Sequence, residues 1–280
     1  MTALRAGLIG AHIGRSRLSA ALQVMCDDHA IAFEFTPIDT ADRPDFDFTR
    51  TVDDLRGLGW TGVTVTHPHK AEAAAYAGEA MHPDVGALGA SNTLTFHPRL
   101  VGHNSDFTGF LDAWRNTMGE EKPGKVAVAG AGGVARAIVP ALLRLGASEI
   151  LVWDAMPETA VRFAEEFGES VTAIVASENG DAILSADGLV NATPLGMANY
   201  PGTAFAPGLL GSQTWCFDAV YTPTDTEFLK AATRRGLIGI SGFDLFRFMA
   251  LRSFAAYTGI APDPETTLPK LTQLRPMGSA

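Results

Sequence analysis

Residues 125–136 read Lys125-Val126-Ala127-Val128-Ala129-Gly130-Ala131-Gly132-Gly133-Val134-Ala135-Arg136, a short apolar run that breaks into a glycine turn and reopens in small residues. This string admits few folds besides a strand turning sharply into a closely packed helix. Gly130 allows the tight turn, Gly132 lets backbone N–H groups approach a pyrophosphate with no Cβ between, and Ala135 permits close helix-to-strand packing. Gly133 and Val134 complete the phosphate turn. A glycine turn alone is a weak signal, since glycine is the default at any sharp turn. Its surroundings strengthen it. Residues 126–128 suit a buried strand, and residues 135–145 have helical apolar spacing that stops at Gly146. A second apolar run at 150–153 ends in Asp154, near the ~20-residue distance at which an acid meets an adenosine ribose 2′-hydroxyl. The segment predicts a βαβ unit that binds a dinucleotide.

The 280 residues leave room for a second domain beside that unit. With 46% hydrophobic and 19% charged residues, the chain has material for a large core and is not a disordered segment. A formal charge of -10 disfavours nucleic-acid backbones and anionic membranes as partners, so an anionic substrate needs a local cationic pocket. Cys26 and Cys216 form no disulfide framework and read as buried small hydrophobes in a reducing compartment. The segment Met1-Thr2-Ala3-Leu4-Arg5-Ala6-Gly7 has no signal-peptide core, and the apolar stretch near Val126 is interrupted by glycines and Arg136. Cytoplasmic residence is expected. Oligomeric state, monomer or homodimer, is open.

Ahead of the glycine turn, β-like runs at 6–9, 32–38, 62–66 and 93–96 alternate with helical spacing at 18–29, 51–58 and 70–77. This alternation predicts an α/β domain with a mostly parallel sheet. A helix beginning near Phe107 and the polar breaker Glu120-Glu121-Lys122-Pro123-Gly124 lead into the second domain. Further strands are expected at 171–175, 188–192, 216–219 and 237–240, with a helix from Pro157 to Phe167 closed by Gly168. Residues 243–257 form a helix in which Phe243, Phe246, Phe248 and Phe254 pack. Glu165-Glu166 reads as a solvated helix face and Gly278-Ser279-Ala280 as a frayed end. The expected organisation is a substrate-binding catalytic domain over 1–106, a Rossmann-type dinucleotide domain with its connecting helix over 107–241, and a helical segment over 242–280 packing back on the first domain.

Hydride transfer between an alcohol and a dinucleotide needs a group that gives or takes the oxygen's proton. Thr64-Val65-Thr66-His67-Pro68-His69-Lys70 lies where an apolar strand runs into a Pro-containing loop, the end of a parallel strand where ligands gather. Lys70 suits that proton step when a carboxylate orients it. Asp106, in Val101-Gly102-His103-Asn104-Ser105-Asp106-Phe107, is a candidate partner. Read alone, the two residues fit a solvated helix-start lysine and a helix cap, both commoner roles. His67 and His69 lack a carboxylate or cysteine cluster at ligand spacing, so loop packing is expected and no metal.

Together these segments resemble the shikimate/quinate dehydrogenase family from Leu8 to Tyr257. Residues 64–70 are similar to the family's N-V-T-x-P-x-K, Ala90-Ser91-Asn92-Thr93 to A-x-N-T, and residues 102–106 to G-x-N-T-D. Asn191-Ala192-Thr193-Pro194-Leu195-Gly196-Met197 matches N-A-T-P-x-G-M, and Asp218-Ala219-Val220-Tyr221-Thr222-Pro223 matches D-x-x-Y-x-P. The resemblance implies two α/β domains with a cleft between them, Lys70 and Asp106 as the acid–base dyad, and a cyclic polyhydroxy carboxylate as substrate. It places Ser16, Thr66, Asn92 and Tyr221 at the substrate, with Leu18 and Met249 at positions that normally hold it. Cofactor contacts fall to the glycine turn, Asp154, Asn191, Thr193, Pro194, Met197 and Gly242.

Two departures concern substrate recognition. The family's G-x-P-I-x-x-S-x-S-P loop here reads Gly10-Ala11-His12-Ile13-Gly14-Arg15-Ser16-Arg17-Leu18-Ser19, with Leu18 replacing the second serine. In the later G-x-x-M-L-x-x-Q helix Gly242 is kept, but Met249 replaces the glutamine. Thr64 and Ser105 are smaller changes. Where NADP-preferring members carry an arginine-bearing N-R-T, this chain has Trp153-Asp154-Ala155, so NAD is the expected cofactor, with NADP also open. The expected activity is reversible hydride transfer between NAD(P) and a ring hydroxyl of shikimate, quinate or a related acid. The alternatives are a dehydrogenase for another polyol or an aminoshikimate-type substrate, and a nucleotide-sensing regulator without turnover.

Overall fold

A computed structural model describes residues 3–276; Gly278-Ser279-Ala280 lie outside the described residues. The described chain divides into one unit over 3–109 joined by Arg247–Leu274, and a second over Phe110–Phe246 joined by Arg275 and Pro276.

The first unit begins β1 (Ala3–Gly10), α1 (Leu18–Asp28), β2 (Ala32–Asp39), α2 (Phe48–Gly57), β3 (Gly62–Val65), α3 (Lys70–Ala77), β4 (Thr93–Thr95) and β5 (Val101–His103), and α4 (Ser105–Met118) starts in it and continues into the second. Its sheet has the order β2-β1-β3-β4-β5. Strands β2, β1 and β3 are mutually parallel, whereas β4 pairs antiparallel with both β3 and β5. The short connection between β4 and β5 cannot carry a crossover, so β4 runs against the other strands. β5 escapes a periodicity reading because it is three residues long with a central glycine. Ile9, Phe48, Val52, Leu55, Trp60, Val63, Val65 and Leu94 form this unit's core.

The second unit contains β6 (Lys125–Ala129), α5 (Ala135–Arg144), β7 (Glu149–Trp153), α6 (Pro157–Phe167), β8 (Val171–Ala173), α7 (Asn179–Ser185), β9 (Gly188–Asn191), β10 (Trp215–Asp218), α8 (Glu227–Arg234) and β11 (Ile238–Ser241). All its strands are parallel, in the order β11-β10-β9-β6-β7-β8. The order reverses between β6 and β9, and ligands of doubly wound sheets bind at such a switch point. β8 stops at Ala173, short of the expected Val175. α7, short and polar at its start, escapes a periodicity reading, whereas α8 carries Phe228, Leu229, Ala231 and Ala232 at helical spacing and begins at a Thr226 cap whose hydroxyl accepts from the Leu229 N–H. Glu166 is not a merely solvated residue. Arg136 on α5 donates to it across the helices, and that hydrogen bond holds its carboxyl below the usual range.

α9 (Gly242–Thr258) starts in the second unit and ends in the first, followed by α10 (Pro264–Thr272). In the first unit the fully buried Tyr257 shares a 2.6 Å hydrogen bond with Thr64 on β3. Ser253 lies 3.0 Å from Ser105 at the start of α4. Phe243, Phe246, Phe248 and Phe254 are all buried. So are Cys26 and Cys216, whose thiols burial pushes up to about 11 and about 12.

Candidate active site

Lys70 opens α3 immediately beyond the end of β3, and Asp106 sits in the first turn of α4. Lys70 Nζ donates to Asp106 Oδ2 at 2.6 Å, and each side chain is 18% exposed. Asp106 is not the helix cap. Asn104 fills that role by accepting the Phe107 N–H at 3.1 Å and donating to the Ala90 carbonyl at 3.0 Å, which leaves Asp106 for the lysine. The Lys70 carbonyl accepts from the Ser91 N–H. Asn92 follows, buried, its Oδ1 accepting from the N–H and hydroxyl of Ser105 at 2.7 and 3.0 Å. Its Nδ2 makes no hydrogen bond among the described residues, so the amide is fixed through its oxygen and keeps its donors.

Thr66 is half-buried, with its N–H donating to the Ile9 carbonyl and its carbonyl accepting from His69. Ser16 Oγ accepts from the Leu18 N–H at 3.3 Å, and the Leu18 side chain is 2% exposed in the core. The 16–18 loop thus presents one hydroxyl. Met249 is half-buried on α9, where its backbone packs so near Gly109 that a Cβ there would lie 2.7 Å from the Met249 nitrogen. His69 packs against Phe46 and Phe48 and bonds Thr40 and Glu72. Among the described residues no group of three or more His, Cys, Asp or Glu is placed to hold a metal ion.

In the second unit the glycine turn leaves β6 at the sheet's switch point. Gly130 has φ 95°, and a Cβ there would lie 2.9 Å from the Ala192 carbonyl carbon and oxygen. A Cβ on Gly132 or Gly133 would meet no protein atom. Among the described residues the backbone N–H groups of Gly132, Gly133 and Val134 make no hydrogen bond and lead into α5, while Ala135 is buried beneath it. An open, donor-rich helix start of this kind fits a pyrophosphate. Asp154 at the end of β7 accepts the Ala131 N–H at 2.9 Å and the Met156 N–H at 3.0 Å. One carboxylate therefore braces both the glycine turn and the entry to α6, with lone pairs left for a diol.

The side chain of Asn191 is engaged within the protein. Its Nδ2 donates to the Leu195 carbonyl and Asp218, and its Oδ1 accepts from the Thr193 N–H and hydroxyl. Its hydrogen-bonding capacity is filled by the protein, so it shapes the 191–197 loop rather than reaching outward. Thr193 accepts in turn from the Leu195 N–H, Pro194 accepts from the Met197 N–H, and Met197 is 41% exposed at the loop's end. Gly242 has no room for a Cβ, which would lie 2.4 Å from the Ala219 carbonyl oxygen. Tyr221 stacks on Phe246 with ring centroids 5.7 Å apart. Sequence reasoning singles out Tyr221 and misses Asp218, although the D-x-x-Y-x-P string contains both. Fully buried, Asp218 joins Asn191, the Val220 N–H and Thr226, and burial raises its carboxyl to about 6.

Residues 8–94 match the shikimate dehydrogenase substrate binding domain, and residues 125–200 match a domain described as NADP oxidoreductase, coenzyme F420-dependent. Shikimate dehydrogenase (NADP(+)) of Streptomyces avermitilis is 36% identical over an alignment covering 78% of this chain and 77% of that protein. Quinate/shikimate dehydrogenase (NAD(+)) of Corynebacterium efficiens is 34% identical, covering 92% and 94%. The chain belongs to the shikimate/quinate dehydrogenase family. Among solved members, quinate dehydrogenase from Corynebacterium glutamicum in complex with NAD superposes with a TM-score of 0.89 at 30% identity, covering 97% of this chain and 99% of that one. The Thermus thermophilus shikimate 5-dehydrogenase in complex with NADP(H) and shikimate gives 0.83 at 28%, covering 96% and 99%. As a family member the protein is an oxidoreductase acting on CH–OH groups with a nicotinamide dinucleotide. No helix among the described residues is long and apolar enough to cross a membrane.

Proposed function

We propose that this protein interconverts a ring hydroxyl and ketone of a cyclic polyhydroxy carboxylate of the shikimate and quinate type, with NAD as its preferred partner. The 2.6 Å Lys70–Asp106 pair carries the reading. Bound at the glycine turn, the dinucleotide supplies the hydride acceptor or donor. Lys70 Nζ, as the neutral amine, takes the hydroxyl proton in oxidation and, as the ammonium so formed, gives it back in reduction, while Asp106 orients the amine and balances the ammonium charge. Asn92 Nδ2 and the Ser16 hydroxyl hold ring substituents. General acid–base groups contribute ~100 to 10,000-fold to rate. Lys70→Ala should lower kcat by that order and leave dinucleotide affinity unchanged; near-normal turnover would overturn the assignment.

The NAD preference rests on Asp154, whose carboxylate accepts from a free ribose diol and repels a 2′-phosphate. Comparing kcat/KM with the two cofactors tests it, and a clear NADP preference would defeat it. Shikimate itself should be a poor substrate, because Leu18 offers no donor and Met249 only a weak thioether acceptor. An unpaired buried group costs ~1–3 kcal/mol. A ring acid lacking a polar substituent at those positions avoids that loss. A panel of shikimate, quinate and amino-substituted analogues, read by NADH and NADPH absorbance, decides between them; efficient shikimate turnover would remove Leu18 and Met249 as determinants.

A further inference from the structure

Asp39, the last residue of β2, lies far in sequence from every motif named above. Its Oδ1 accepts from the backbone N–H of His12 and of Ala41, both at 3.0 Å, and its Oδ2 from that of Ile13 at 3.2 Å. His12 is one of two non-glycine residues in the described chain with a positive φ, at 56°. A side chain with a Cβ disfavours that conformation, so something must hold it there. Asp39 does so on both sides of the His12 carbonyl, through charge-assisted hydrogen bonds. The turn it pins begins the segment that ends at Ser16. The Ala11 N–H also donates to the His67 carbonyl at 2.9 Å, three residues before Lys70.

We infer that Asp39 is a positioning residue for substrate, fixing the left-handed turn at His12 and through it the Ser16 loop relative to the Lys70 loop. The inference rests on the proposed substrate reading. Lys70 and Asp106 hold each other directly, so the clamp acts on binding and leaves the proton step alone. Asp39 is exposed at the sheet edge, and its replacement leaves the unit's core intact.

Asp39→Asn has one acceptor oxygen in place of two and cannot keep all three bonds. The expected result is a five- to tenfold rise in KM for the best ring acid of the panel, with kcat and the KM for NAD within twofold of wild type. Electrostatics alone predicts the opposite sign, because removing a negative charge near an anionic substrate lowers KM. Asp42→Asn, which changes the same charge without touching the clamp, serves as control and should leave KM unchanged. Glycine adopts φ 56° freely, so adding His12→Gly to Asp39→Asn should restore most of the lost KM. Amide hydrogen exchange over residues 10–16 reads the clamp without turnover: protection at His12 and Ile13 should fall in Asp39→Asn. An unchanged KM, an equal rise in Asp42→Asn, or unchanged exchange would overturn the inference. If wild type turns over no ring acid yet exchange rises as expected, the substrate reading fails while the clamp itself is upheld.

Discussion

Two titratable groups, the buried Asp218 and the half-buried His103, act on stability in opposite directions. Asp218 has only neutral hydrogen-bond partners, and burial raises it from 3.8 to about 6. Its contribution is fully present below pH 3.8 and is lost as pH rises through about 6. His103, desolvated and stacked 5.6 Å from His82, is lowered from 6.5 to about 4. Its contribution is present above pH 6.5 and is lost as pH falls through about 4. Each is worth up to about 3 kcal/mol, and between pH 4 and 6.5 they partly cancel. Denaturant unfolding across that range should show Asp218→Asn gaining stability toward pH 7 more steeply than wild type. His103→Gln should shift the slope the other way. Parallel curves for all three proteins would refute the assignment.

At the scale of elements, the glycine turn separates folding from binding. Gly130 is constrained by the protein itself, through its φ of 95° and the Ala192 carbonyl. Gly130→Ala should lower Tm by several degrees, corresponding to roughly 1–3 kcal/mol. Gly132 faces open space, so a side chain there obstructs only a ligand. Gly132→Val should leave Tm nearly unchanged and weaken NAD binding at least tenfold by fluorescence titration. A large Tm loss in Gly132→Val, with binding intact, would contradict this division. The fingerprint was legible because turn, strand and helix lie within a dozen consecutive residues. α7 was not, since it is seven residues long and polar at its start, and so short a helix depends on packing rather than on apolar periodicity.

Across the whole molecule, the first unit is completed by a segment from the far end of the chain. Tyr257 fills the space above Gly62, where a Cβ would lie 2.7 Å from its ring, and bonds Thr64. Tyr257→Phe keeps the ring but leaves the Thr64 hydroxyl unpaired, at a cost of ~1–3 kcal/mol. Thermal unfolding should fall by a few degrees with KM for NAD unaffected; an unchanged Tm would show the bond to be dispensable.

The sequence by itself determined the dinucleotide strand and turn, the alternation of strands and helices, the family, and the segments that bring Lys70 and Asp106 together. Each is written in consecutive residues whose spacing or local chemistry has few alternatives. Only tertiary structure decided that Asn104 rather than Asp106 caps α4, that Asn191 bonds inward, and that Leu18 is buried. The same holds for the antiparallel β4, the Arg136–Glu166 pair, and Asp39 bracing the turn at His12. Apart from the local Asn104–Phe107 cap, these features depend on partners distant in the chain, and a carboxylate's role is set by which N–H groups the fold brings within ~3 Å of it, information that no local pattern contains.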